Sequence, residues 1–403
     1  MNLLKKNFRS SVIAVILSPF ILSLHITNAN SATSITLSAT GQTPYGISID
    51  SAGNIYTANY GDNTVTKITP AGVPTTLGPT GNGPSAITID SAGNIYTANR
   101  LSRTVTKITS AGVLTTLGST GNAPWGITVD SAGNVYTTNL GNDNVTKITP
   151  LGSSSTLGTT GGEPYGITID SAGNIYTTNN AFGGVTKITP AGVSTTFGST
   201  GANPHGITID STGNIYTANG DNNVTKITPA GVSSILGSTG FRPEGITVDS
   251  AGNVYVTNSG GITGTVTKIT PAGVSTTVGN TGRGPNAIAI DSAGNIYTSN
   301  EFDNNITKIL FFDQAAADAE AARINAANVE AARVAVANAE AARKAKEQKE
   351  LTEILALIPS IGELTLSLGE TTQSLYSTKC VKGKSTKFVK KGAKCPKGFV
   401  KRK

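Results

Sequence analysis

The sequence predicts an all-β fold: a seven-bladed β-propeller closed by an N-terminal strand, followed by a long α-helix and a small basic C-terminal module. Three observations carry that expectation. A unit of about 40 residues recurs seven times, each copy holds four short β-type runs, and the strand missing from the last copy reappears near the start of the chain.

Residues 1–29 open with Lys5, Lys6 and Arg9, continue as an apolar run from Val12 to Leu24 and reach small residues at Ala29 and Ala32. That is the layout of a secretory signal peptide. A spanning helix needs about 20 apolar residues, this run is shorter, and Pro19 interrupts it. No second stretch of spanning length follows. The expected mature chain is therefore secreted, extracellular or cell-surface associated, with no transmembrane anchor.

The repeats begin at Pro44, Pro84, Pro124, Pro164, Pro204, Pro243 and Pro285. In the first copy the β-type runs are Gly46 to Asp50, Asn54 to Ala58, Thr64 to Thr69 and Val73 to Leu77, separated by Gly, Pro, Asn and Asp clusters. The seventh copy has three such runs, ending at Ile309, and then changes character. Its missing fourth run matches TSITLSATGQT at residues 33–43, which parallels VSTTFGSTGAN at residues 193–203. A propeller over residues 33–312, latched by its own N-terminus, leaves no open end to the ring.

The P-x-G-I-x-[IV]-D-S-A-G-N-[IV]-Y core, followed by N-x-V-T-K-I-T-P-A-G, resembles NHL-type propeller repeats, a group similar to streptogramin-lyase-like proteins. VYVTN at Val254 to Asn258 also resembles the YVTN surface-protein propellers. The resemblance spans residues 33–312 and implies the fold. It implies less about activity, because propellers host unrelated functions.

Composition narrows the classes further. The 403 residues include two Cys, which excludes a disulfide-dense scaffold. With 37% hydrophobic and 14% charged residues, the chain is neither an integral helical membrane protein nor a charge-dominated disordered one. The formal charge of +7 is uneven: residues 33–312 carry −3, residues 313–377 carry −4, and the last 26 residues carry +11.

Each repeat places one Asp before a Ser-Ala-Gly-Asn or Ser-Thr-Gly-Asn turn, at positions 50, 90, 130, 170, 210, 249 and 291. One carboxylate per turn suits turn hydrogen bonding better than calcium, which gathers several oxygens. The Lys series at 67, 107, 147, 187, 226, 268 and 308 balances those carboxylates, and the Asn series at 59, 99, 139, 179, 219, 258 and 300 closes each second run.

Positions that vary between copies are those the scaffold does not dictate. The residue after each repeat's proline begins the innermost strand at the channel mouth: Tyr45, Ser85, Trp125, Tyr165, His205, Glu244 and Asn286. Aromatic faces mixed with a carboxylate, an amide and an imidazole suit a small polar ligand, a glycan or a protein surface. The competing expectation is that large rings simply fill the channel. Arg100, Arg103, Phe182, Arg242, Arg283, Glu301, Phe302 and Asp303 are flanking candidates.

Streptogramin-type and peptide-amidating propeller lyases, as families, use a divalent metal with histidines as ligand or base. Past the signal segment this chain has one histidine, His205, and no Cys within the propeller, so no multi-His metal site and no catalytic residue carry over. A His205–Glu244 pair within hydrogen-bond reach would still support acid–base work, and carboxylate and amide oxygens would suit a lactonase-type cation site. The residues favour a binding module without cofactor or metal, with a lyase or lactonase as the alternative.

Residues 313–357 form an Ala-rich helical spacer with Glu–Arg pairs at 320/323, 330/333 and 340/343. Its ten-residue repeat rotates about 80° per copy, so no continuous apolar seam forms. Pro359 is expected to end or kink it, leaving a connector at 358–377. The basic tail at 378–403 holds Cys380 and Cys395, which read as one disulfide in an exported protein, worth about 3 kcal/mol by chain entropy. It resembles short basic two-cysteine endings of secreted bacterial proteins. Its charge suits a polyanionic partner such as an anionic cell-wall polymer, an acidic polysaccharide or membrane headgroups, with a simple solubility tail as the competing expectation; export argues against nucleic acid.

Overall fold

The computed structural model describes residues 32–310, 314–373, 378–389 and 394–402. The expected signal peptide lies outside them. Among the described residues the chain forms seven four-stranded antiparallel sheets and one three-stranded sheet. Blade 1 consists of Pro44–Ile49, Ile55–Asn59, Thr64–Ile68 and Pro74–Pro79, paired in that order. Blades 2 to 6 repeat the plan. Blade 7 takes Pro285–Ile290, Ile296–Asn300 and Asn305–Leu310 from the last repeat and Thr33–Ala39 from the N-terminus. The closing strand runs antiparallel to Asn305–Leu310 with Ile35 opposite Lys308, so the expected latch is present.

The core lies between blades rather than within them. Second and third strands carry small β-branched and aromatic side chains, which stack on the first three strands of the next blade. Tyr216, Ala218 and Val224 of blade 5, for example, pack on Ile246, Val254, Val256 and Ile269 of blade 6. At the seam the same layer is built from Leu37, Tyr297 and Ile306 on one side and Ile47, Ile55 and Ile68 on the other.

One side chain from outside the ring joins that seam layer. Ile324, near the start of the helix Gln314–Gln373, is fully buried against it, 3.3 Å from where a Cβ on Gly72 would lie. Arg323 donates to the Pro70 carbonyl at 2.7 Å and Asn328 to the Leu37 carbonyl at 3.4 Å. The first turns of the helix thus seal the closing strand onto blade 1. The helix also continues through Pro359 to Gln373, where an end and a connector were expected. Proline removes one donor, and the leucine-rich flanks on both sides sustain the rest of the ladder. Of the expected charge pairs, Glu330–Arg333 forms at 3.7 Å, Glu340 instead pairs with Lys344 at 2.9 Å, and the Glu320 side chain lies outside the described set.

Contacts divide the chain into one unit up to Val329 and a second from Glu330 to Lys403. In the second unit Thr378–Lys382 pairs with Ser385–Val389 and Val400–Arg402, and Cys380 is bonded to Cys395, as expected from the spacing. No described helix is long and apolar enough to cross a membrane.

The repeated Asp is a turn clamp. Asp50 accepts from the Ala52 and Asn54 amides at 3.0 and 2.8 Å, from Asn54 Nδ2 at 2.8 Å and from the Tyr56 hydroxyl at 3.0 Å. The Tyr56 ring in turn carries the Lys67 ammonium 5.6 Å from its centre. Burial alone would raise these carboxyls, but the converging donors outweigh it, so Asp50, Asp90, Asp130, Asp170, Asp210 and Asp249 all sit below the usual carboxylate range. Asp210 reaches about 2, because the Thr212 hydroxyl of its Ser-Thr-Gly-Asn turn adds a donor at 2.8 Å. Burial, then the facing carboxylate, raises the partner tyrosines.

Two outcomes are expected. Leu37→Ala opens a cavity in the seam and lowers the urea-unfolding free energy by about 3 kcal/mol. The depressed carboxyls contribute stability that is present above about pH 4 and lost as pH falls toward 2, whereas the raised phenols contribute stability that is present below about pH 10 and lost above it. A melting-temperature profile should therefore be level between those limits and fall on either side. A profile that stays level down to pH 2 contradicts the clamp.

Candidate functional site at the channel mouth

The loop after each second strand and the crossover into the next blade meet at one end of the ring. Tyr60 and Gly61 donate main-chain bonds to Thr43 and Gln42, and Arg100 does the same to Gly83. At this end the residue after each proline starts the innermost strand, and the residue after each strand-ending Asn stands beside it. Two tiers of variable side chains result. The first is the predicted ring of seven; the second is Tyr60, Arg100, Leu140, Asn180, Gly220, Ser259 and Glu301.

One arc of the mouth is aromatic. Tyr45 lies 4.9 Å from Tyr60 and 5.8 Å from Trp125, Trp125 lies 5.1 Å from Tyr165, and Tyr165 stacks on His205 at 4.8 Å with 20° between planes. All these first-tier rings are half-buried. Tyr45 and Trp125 belong to blades 1 and 3, yet they touch because blade 2 contributes only Ser85. Its side chain is buried, and its hydroxyl donates to the Trp125 and Pro124 carbonyls at 3.0 Å each. Ser85 therefore anchors the main chain beneath the mouth instead of facing it. Arg100 fills the space above, its guanidinium 4.9 Å from the Trp125 ring.

The other arc is polar. His205 Nδ1 and Glu244 Oε2 are 2.6 Å apart, and Glu244 Oε1 faces Ser259 Oγ at 3.3 Å and Arg242 at 3.7 Å. Glu301 accepts from Asn286 Nδ2 at 2.9 Å and from the Tyr45 hydroxyl at 3.4 Å, linking the two arcs. Burial, together with the Glu301 charge and the neighbouring Tyr60, pushes the Tyr45 hydroxyl up to about 12. Burial first, then Glu163, raises Tyr165. In the second tier the Asn180 Nδ2 donor is buried without a hydrogen-bond partner.

The scaffold positions these side chains through their own main chain. The preceding blade's hydroxyl holds the carbonyl of a mouth residue in four places: Ser85 on Trp125 at 3.0 Å, Thr138 on Tyr165 at 3.0 Å, Thr178 on His205 at 2.8 Å, and Ser299 on Tyr45 at 3.0 Å across the seam. The inner strands approach so closely that a Cβ on Gly206 would lie 2.5 Å from the Glu244 carbonyl oxygen.

Of the flanking candidates, Arg100, Arg242 and Glu301 join the mouth. Arg283 pairs with Asp303 at 2.7 Å on the exposed rim. Phe182 and Phe302 lie over Gly162 and Gly284 of their own crossovers, largely exposed. Arg103 is an exposed turn residue with φ 57°. Tyr60, Asn180 and Ser259 were not singled out by sequence, although each is the first residue of a loop that differs between copies.

The donor set does not fit the divalent metal implied by the lyase resemblance. Each oxygen of Glu244 and Glu301 already faces a protein donor, and among the described residues His205 supplies the sole imidazole and no group of three or more ligating side chains forms.

The virginiamycin B lyase family model matches residues 30–309, the closing strand and all seven blades. The chain belongs to that family. Its propeller is similar to the crystal structure of virginiamycin B lyase from Staphylococcus aureus, with 22% identity, 69% of this chain and 98% of that one covered, and a TM-score of 0.61. A streptogramin B lyase structure is 20% identical over 69% of this chain and 96% of its own, also at 0.61. The extracellular domain of a hybrid two-component system from B. thetaiotaomicron gives 0.57 at 15% identity, over 72% of this chain and 44% of that one. At these identities the likeness concerns the fold. Comparison with curated protein sequences gives no match.

Because Gly206 touches the strand that carries Glu244, Gly206→Ala should cost about 2 kcal/mol of unfolding free energy by overpacking. Thermal denaturation against the parent chain measures it.

Proposed function

We propose that this family member is a secreted or cell-surface binding protein that takes a small polar ligand or glycan unit at the channel mouth. The segregation of the mouth into an aromatic arc and a carboxylate arc carries this reading. A flat apolar face would stack on Tyr45, Trp125 and Tyr165, while hydroxyl or ammonium donors on the same molecule would engage Glu244 and Glu301. The Cys380–Cys395 disulfide suits an oxidising compartment and so supports export.

A second reading draws on one contact. With Nδ1 donating to Glu244, His205 presents its Nε2 lone pair as a general base. Family membership supports the lyase class but not this particular dyad, and a catalytically inactive histidine-to-alanine variant of the S. aureus enzyme has been crystallised with quinupristin.

Trp125 is the chain's one tryptophan, so its emission reports the mouth directly. Titration with a panel of oligosaccharides and aromatic amines should yield at least one saturable ligand, with affinity falling tenfold or more on Trp125→Ala or Glu244→Gln. A panel without any saturable response contradicts the binding reading. Turnover of quinupristin that is lost on His205→Ala would favour the lyase reading instead.

A further inference from the structure

The C-terminal sheet differs in chemistry from the rest of the described chain. Residues 378–403 contain eleven cations, ten of them Lys, and no acidic residue. The structure shows where the described ones emerge. Cross-strand partners share a face, so Lys387 and Lys401, both opposite Cys380, lie on the cysteine face. Lys382, two residues along the same strand, shares that face and brings its ammonium against Gly398. Lys384 sits at the tip of the two-residue turn between Lys382 and Ser385. Arg402 stands on the opposite face beside Val400, and Lys394 and Lys397 flank Cys395 in the covering loop. All seven of these side chains are exposed.

We propose that this module binds a linear anionic polysaccharide outside the cell, one whose sugar units bear phosphodiester or carboxylate groups. Cations on two faces, a tip and a loop do not define a plane, so a flat bilayer would reach only some of them. A flexible chain can wrap and meet them all. Lys rather than Arg dominates, which favours diffuse charge pairing over bidentate recognition of particular groups. The disulfide suits an oxidising compartment, where surface polymers rather than nucleic acids are the prevailing polyanions. Cross-linking residues 380 and 395 keeps the cations close together, so that several act on one polymer segment and release its counterions together.

The test uses the full chain and four probes: purified teichoic acid, polygalacturonate, phosphatidylglycerol vesicles and duplex DNA, matched in charge concentration at 50 mM salt. Binding to teichoic acid or polygalacturonate should be at least tenfold tighter than to vesicles or DNA, and should weaken at least tenfold by 300 mM salt. Replacing Lys382, Lys384, Lys387, Lys394, Lys397 and Lys401 by Gln should abolish it, whereas replacing the same six by Arg should keep it. The mass of the intact disulfide and slow hydrogen exchange at the paired amides of Thr378–Lys382 and Ser385–Val389 confirm folding of the module in both variants. Equal or tighter binding to vesicles or DNA, binding that survives the Gln replacements, or no polymer binding at 50 mM salt would each overturn the proposal.

Discussion

The pairing of Thr33–Ala39 with Asn305–Leu310 is the constraint on which the ring depends. A row of blades would end in an unpaired strand and an uncovered interblade face, both costly in water. Here one backbone ladder joins residues more than 260 positions apart, and Leu37 then completes the apolar layer between blades 7 and 1. The closure reaches the site as well. Thr43 donates its amide to Asn304 Oδ1 at 2.7 Å, and two residues later Tyr45 opens the aromatic arc with its carbonyl held by Ser299. Tyr45 and Glu301, which bridge the two arcs, stand on opposite sides of the seam. Loss of the latch would thus blur the mouth before it unfolded the chain.

Sameness and difference between the blades have separate physical causes. The Asp–Asn–Tyr clamp, the Lys–Tyr stack and the buried Asn–Thr bonds recur because each blade must solve the same turn and the same interblade packing. Asn59, fully buried, accepts from Thr57 and donates to Thr64 and Thr66, and its counterparts are buried likewise. At the mouth no such demand repeats, and there the side chains diverge. Where Asp210 departs from Asp50, Asp90, Asp130, Asp170 and Asp249, a single Ala-to-Thr change in the turn accounts for the deeper depression of its carboxyl.

The fold was legible because its information is written seven times over, and because the incomplete last copy pointed to the N-terminus for its missing strand. The first tier of the mouth was legible through variation between copies. The second tier was legible only in part: Arg100 and Glu301 stood out as flanking charges, whereas Tyr60 and Ser259 acquire meaning only when the loop folds back beside the inner strand. Ser85 shows the limit of reading a side chain from its register alone: its hydroxyl is short enough to turn inward to the Trp125 carbonyl, which leaves Tyr45 and Trp125 free to meet. Ile324 was also hidden. The ten-residue Ala-rich pattern lacks an apolar seam, so nothing marked one isoleucine as a docking residue until the groove above Gly72 was in view.

Hydrogen exchange at the latch tests the account most directly. If the ring closes as described, the hydrogen-bonded amides of Thr33–Ala39 exchange as slowly as those of the outer strands Leu114–Ser119 and Ser154–Thr159, and all three open with the same free energy. Fast, unprotected exchange at residues 33–39 beside protected outer strands elsewhere would contradict a closed seven-bladed ring, and with it the mouth built across its seam.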